Sequence, residues 1–130
     1  MEATLHSGWD RRRLAYAVGA GALLVSSIAV FMSVDAGWWV FPVFAIGPDL
    51  AFLAGIGQKT PLVHGQMPSR AVPAYNALHR LPGPIALGLL AAVGLLPPAF
   101  LVGALVWAFH IFLDRALGYG LRTPDGYQRS

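Results

Sequence analysis

Apolar positions along this chain gather into four long runs, and the polar positions fall mostly between them. The first, residues 14–34 "LAYAVGAGALLVSSIAVFMSV", holds no charge over 21 positions, about what a helix needs to cross roughly 30 Å of hydrocarbon. Arg11, Arg12 and Arg13 precede it as a signal peptide's basic region would. The run exceeds a signal core of about 7–15 residues, however, and lacks a small-x-small exit, so it reads as an uncleaved anchor. The second run, 38–57, opens on Trp38 and Trp39, which suit a headgroup-level aromatic belt, and carries Pro48 and Asp49 mid-run. Pro48 can break that span and free backbone carbonyls. A polar loop at 58–70 leads to a third run at 71–96, and Pro97 and Pro98 end it and open a fourth at 98–118. The tail 119–130 starts among glycines suited to a helix C-cap and continues into a Pro-Asp-Gly turn, as expected of a polar interfacial segment. The pattern predicts an all-α, four-span transmembrane helix bundle forming a single domain over 1–130.

Composition agrees with that solvent: 56% of residues are hydrophobic and 12% charged, the balance of an integral membrane protein. With no cysteine, disulfides, thiolate metal ligands and a cysteine nucleophile are excluded. Lys and Arg concentrate before the first run, in the 58–70 loop (Lys59, Arg70) and in the tail (Arg122, Arg129), which puts both termini and that loop on the cytoplasmic side. The excess of base then serves anionic lipid, and nothing in its pattern suggests nucleic acid.

That topology gives each polar residue inside a run an approximate depth. At 1.5 Å per helical residue, counted from the nearest basic residue of the cytoplasmic flank, Asp49 and His79 lie about 15 and 14 Å inside, and Asp114 and His110 about 12 and 18 Å. Ionisable groups on three runs therefore share a level. Within the runs, Asn76 and His79 are spaced i,i+3 and His110 and Asp114 i,i+4, so each pair shares a helix face. Tyr75 adjoins the first pair; Arg80 and Arg115 each follow a member by one residue. An Asp at a helix centre costs about 2.5–3.5 kcal/mol to insert, so two of them call for something in return.

Three chemistries could supply it. Two neutral imidazoles and two carboxylates (Asp49, His79, His110, Asp114) with an amide oxygen suit a divalent metal such as Zn, Mn or Fe that activates water. Without metal, an Asp–His pair and a second buried carboxyl could do acid–base work, for example protonating an isoprenoid epoxide or alkene in a cyclase. An Asp/His chain could also move protons in a transporter or assembly subunit, for which a homodimer could supply the missing half. Against all three stands hydrogen bonding across the bundle, at about 0.6 kcal/mol per contact; that use would not need acids. His6, His64 and Asp35 read as surface residues. Trp107, Phe109 and Phe112 read first as packing or lipid contact, with Trp107 also a candidate substrate contact.

The stretches "GPDLAFLAG", "AYNALHR" and "WAFHIFLDRALGYGLR" together resemble the small bacterial integral-membrane family known as domain of unknown function 4260, over about residues 38 to 127. The resemblance implies a four-helix bacterial inner-membrane protein with a motif set of Asp49, Tyr75, Asn76, His79, His110, Asp114, Arg115 and Tyr119. It implies no activity. Family members commonly continue past "GYGL" to a Thr-His pair, where this chain reads "GYQRS". A looser similarity, in the order Pro-Asp, His-Arg and His-x-x-x-Asp, is to inner-membrane proteins described as metal-dependent hydrolases. Of that family's His-Arg-x-x-Thr-His-Ser motif only the first two residues are present. The expectation is an enzyme in the cytoplasmic half of the bundle acting on an apolar or lipid-like small molecule. Asp49, His79, His110 and Asp114 hold the metal, Asn76 orients substrate or water, and Tyr75, Arg80, Arg115, Tyr119 and Trp107 contact substrate.

Overall fold

A computed structural model describes residues 9–58 and 62–129. Lys59, used above for orientation and for the depth of Asp49, and His6 lie outside the described residues. Among those described there are five α-helices and no strand. They are α1 (Arg11–Ser33), α2 (Val40–Ile46), α3 (Val72–Leu78), α4 (Pro82–Ala92) and α5 (Ala99–Leu117), with 3₁₀ turns at Gly47–Gly55 and Ser69–Ala71.

The centre of the bundle is α5, on which α1, α2 and α4 all pack. Helix α1 runs antiparallel to it. The Asp10 carboxylate caps α1 by accepting the Arg13 amide at 2.9 Å, and the Arg13 Nε–H reaches the far end of α5, donating to the Ala116 carbonyl at 2.8 Å. Helix α2 runs parallel to α5, with Val40 packed among Ala99, Val102 and Val106. Large rings are seated on glycines: Phe112 covers Gly19, Phe44 covers Gly103 and Trp107 covers Gly83, at each of which a Cβ would stand 2.5–2.6 Å from a ring carbon. Small residues thus set the helix spacing, the means available where hydrocarbon surrounds the helices and water exclusion cannot drive them together.

By length and composition α1 and α5 are apolar and long enough to cross a membrane, at about 34 and 28 Å. The other two predicted spans are not single helices. The run 38–57 is α-helical only to Ile46 and continues as 3₁₀ helix through Gly55, because Pro48 lacks the N–H that an α-helix would use to bond Phe44. A nine-residue 3₁₀ stretch is well beyond the usual three or four residues, and such stretches often mark functional or strained sequence. The run 71–96 is broken between α3 and α4, since Pro82 cannot bond the Leu78 carbonyl. Helix α4 spans about 16 Å, and it stops well before the double proline because Gly94, at φ +82°, turns the chain. Pro98 caps the start of α5 as its position predicts.

The depth arithmetic also needs correction. Helix α5 ends at Leu117, where Gly118 at φ +95° closes a Schellman turn, Tyr119 N–H to Asp114 O at 2.8 Å. Asp114 is therefore one turn from the helix end, close to the predicted boundary at 118, and a count of eight residues back from Arg122 at a helical rise overstates its depth. The tail folds back as a cap over the same end of the bundle. There the Met67 N–H donates to the Gly126 carbonyl at 2.9 Å, and beneath it Met67, Ala51, Ala71, Val72 and Tyr75 form a second buried cluster.

Candidate metal centre

Two proline-induced breaks build the site. The first leaves His79 at the bend after α3, where its own N–H and its ring Nδ1 both meet the Tyr75 carbonyl, at 3.0 and 2.8 Å. The Tyr75 ring lies flat against the imidazole, 3.9 Å between centroids and 18° between planes. The carbonyls freed by the break are taken by α5: Trp107 Nε1–H donates to Leu78 O at 2.8 Å and Arg115 Nη2–H to His79 O at 2.9 Å. The second break, at Pro48, frees the Ala45 carbonyl, which accepts from His110 Nδ1 at 2.6 Å, and turns Asp49 toward the two histidines.

The result is a tight quartet. His79 Nε2 lies 3.2 Å from Asp49 Oδ1, 3.2 Å from His110 Nε2 and 3.4 Å from Asp114 Oδ2. His110 Nε2 lies 3.3 and 3.4 Å from the same two carboxylate oxygens. One ligand atom from each residue falls within 4.8 Å of all the others, so the group could hold a metal ion. Both histidines are buried, the Asp114 side chain is 19% exposed and that of Asp49 50%.

Protonation follows from the anchors. A carbonyl oxygen only accepts, so each Nδ1 must carry the hydrogen, and in the neutral ring each Nε2 is then a bare lone pair. With neutral rings, two lone pairs and two carboxylates converge; a proton on either Nε2 would instead make that nitrogen a donor to Asp49 or Asp114. Acceptors at such mutual distances repel unless a cation or a shared proton lies between. Five of the six distances among these atoms run from 3.2 to 3.4 Å and all four lie within 4.8 Å of one another, so one ion with nitrogen and oxygen ligands could bridge them. The backbone anchors on both Nδ1 atoms are the outer-shell partners that ligating histidines usually have.

The other predicted site residues are placed differently. Both ends of the Asn76 amide are engaged by the tail: Nδ2 donates to Arg122 O at 3.0 Å and Oδ1 accepts the Arg122 N–H at 2.8 Å. Arg80 is exposed, and among the described residues no hydrogen bond or ion pair joins it to the quartet. Tyr119 is half exposed beyond the end of α5. His64 and Asp35 are exposed, as expected. Sequence reasoning missed the structural work of Trp107, Arg115 and Arg122; the signal available was proline spacing, which identifies the carbonyls needing donors. Asn76→Ala is accordingly expected to lower thermal stability by about 1–3 kcal/mol, the cost of orphaning half-buried backbone groups. Metal content should be unchanged, and parallel melting and elemental analysis check both.

Fold and cluster together define a class: a small all-helical protein with two membrane-length apolar helices and, at one end of the bundle, a two-histidine, two-aspartate group able to hold a metal ion. The chain belongs to the family described as Domain of unknown function (DUF4260), whose model matches residues 13–130. No curated protein and no solved structure matches it.

Proposed function

We propose that this protein is a membrane-embedded, metal-dependent hydrolase acting on a lipid-like substrate at the cytoplasmic face of a bacterial inner membrane. The observation that carries the reading is the convergence of His79 Nε2, His110 Nε2, Asp49 Oδ1 and Asp114 Oδ2, with both Nδ1 atoms committed to carbonyls. Two carboxylates and two neutral imidazoles carry a charge of −2, which a divalent ion cancels; N/O ligands without thiolate suit Zn, Mn or Fe. Such an ion would supply Lewis acidity and an acidified water.

The four ligands are not equivalent. His79, His110 and Asp114 are held on α5 and at the α3–α4 bend and are mostly shielded, while Asp49 is half exposed on the 3₁₀ segment. Three fixed ligands and one exchangeable position is the arrangement of hydrolytic rather than structural zinc. Asp49 would be the most loosely held of the four ligands, and its half-exposed carboxylate stands where it would accept a proton from water at the site. Leu50, Leu53 and Phe52 flank Asp49 with 44–59% exposure, an apolar approach that favours an acyl or prenyl chain over a polar solute. Membrane placement is supported by α1 and α5 together with the arginines gathered at one end of both.

The test is elemental analysis of the full chain purified in mild detergent, followed by hydrolysis of chromogenic long-chain esters before and after chelation. About one divalent ion per chain and chelator-sensitive turnover are expected. A metal-free protein with unchanged stability in chelator would end the reading and return the quartet to metal-free acid–base chemistry.

A further inference from the structure

Beside the quartet, at the end of the bundle where α1 begins and α5 stops, lies a separate cleft of about 360 Å³. Its charged lining is four arginines, Arg12, Arg13, Arg115 and Arg129, against the single carboxylate of Asp10, which is already engaged as the cap of α1. None of the quartet lines it.

The guanidiniums are positioned to different degrees. Arg13 is tied through Nε to the Ala116 carbonyl, and Arg115 uses one Nη on His79 O and the other on Tyr119 O, at 2.9 and 3.3 Å. A guanidinium has five N–H donors, so Arg115 keeps others for a ligand. Arg12 stands over the Tyr16 ring at 5.9 Å, and the side chains of Arg12 and Arg129 make no hydrogen bond to the described residues. Gly118 and Gly120 also line it, where an added Cβ would come to 3.6 Å from Arg13 Cζ and 3.4 Å from Gln128 Nε2, respectively. Four cations around one concavity repel one another, and an anion with several acceptor oxygens is what such forks recognise.

We propose that this cleft binds a phosphate group, and that the group is the headgroup of an anionic lipid. The lipid source follows from position: Leu14, Val18 and Leu117, at 50–67% exposure, continue from the cleft along α1 and α5, so a seated headgroup places its acyl chains on faces already apolar. The lipid source rests on the membrane placement above; the phosphate chemistry is independent of the metal.

The full chain in detergent is titrated with dihexanoyl phosphatidic acid, dihexanoyl phosphatidylcholine and inorganic phosphate, binding being followed by calorimetry. Arg12→Gln and Arg129→Gln are the variants, since neither side chain holds the fold together. Phosphatidic acid is expected to bind tighter than phosphatidylcholine, weakening roughly fivefold with each substitution and further with salt. Inorganic phosphate competing at equal affinity retains the phosphate site and overturns the lipid source. Phosphatidic acid binding no tighter than phosphatidylcholine, or indifferent to both substitutions, overturns the site. Chelator-treated protein should bind equally well, which separates this result from the fate of the metal.

Discussion

His79→Ala is expected to empty the metal centre, whereas Asp49→Asn is expected to silence it while leaving it filled. His79 is wholly buried, its ring fixed by the Tyr75 carbonyl on one nitrogen and by Tyr75 stacking on its face. Alanine there removes a ligand that nothing can replace. Loss of an outer-shell partner alone commonly weakens metal binding 10- to 100-fold, so loss of this ligand is expected to exceed about 100-fold and bring the purified protein to background occupancy. Asp49 stands on the 3₁₀ segment with half its side chain in solvent, and an asparagine oxygen can still ligate. The expected loss is therefore in kcat, by about 10²–10⁴-fold, the usual worth of general acid–base assistance, with metal content near that of the parent. Elemental analysis and ester turnover on the same samples separate the two outcomes. If both variants lost metal equally, Asp49 would be a structural ligand and the hydrolytic assignment would lose its exchangeable position.

Gly126→Ala is expected to release the tail. The residue sits at φ +95°, and an added Cβ would fall 1.9 Å from the Met67 carbonyl oxygen, a backbone atom with no room to yield. Left-handed conformation and overpacking each cost about 1–3 kcal/mol, more than the Gly126–Met67 bond can return. The Arg122 contacts with Gly65 and Gly126 and the Asn76 clasp would loosen together. Rapid tryptic cleavage after Arg122, with α1 and α5 still protected, is the expected pattern. Cleavage at the parent's rate would show that the tail does not depend on this turn.

Much of the site was legible because charge in an apolar run is conspicuous and helical spacing fixes which charges share a face. His110 and Asp114 at i,i+4 and the shared level of Asp49 and His79 identified the quartet that the fold brings together. The depths of His110 and Asp114 were counted back from Arg122 at a helical rise although the fourth run itself ends at 118, so those two were too great. The break at Pro48 and the glycine cap after α5 were legible as chain chemistry, whereas Pro82 lay inside an apolar run whose pattern carries no record of the bend it makes. Asn76 illustrates the other limit. Its spacing from His79 is that of a co-ligand, yet its amide is paired to the Arg122 backbone, 46 residues away, and no local periodicity encodes so distant a pairing. Arg80 and Arg115 looked equivalent in sequence, each one step past a ligand, but only Arg115 faces a freed carbonyl.

The tethers on the two imidazoles belong to the main chain, and this bears on how the site would regain an ion. Side-chain tethers can swing away when their purpose lapses; Tyr75 O and Ala45 O cannot, since moving them means rewinding a helix that proline forbids. The two imidazoles therefore keep their Nε2 atoms turned to one another, and adjustment of the quartet falls to the carboxylates, Asp49 above all with half its side chain exposed. If the quartet holds an ion as proposed, a chain stripped of it should recapture one without refolding.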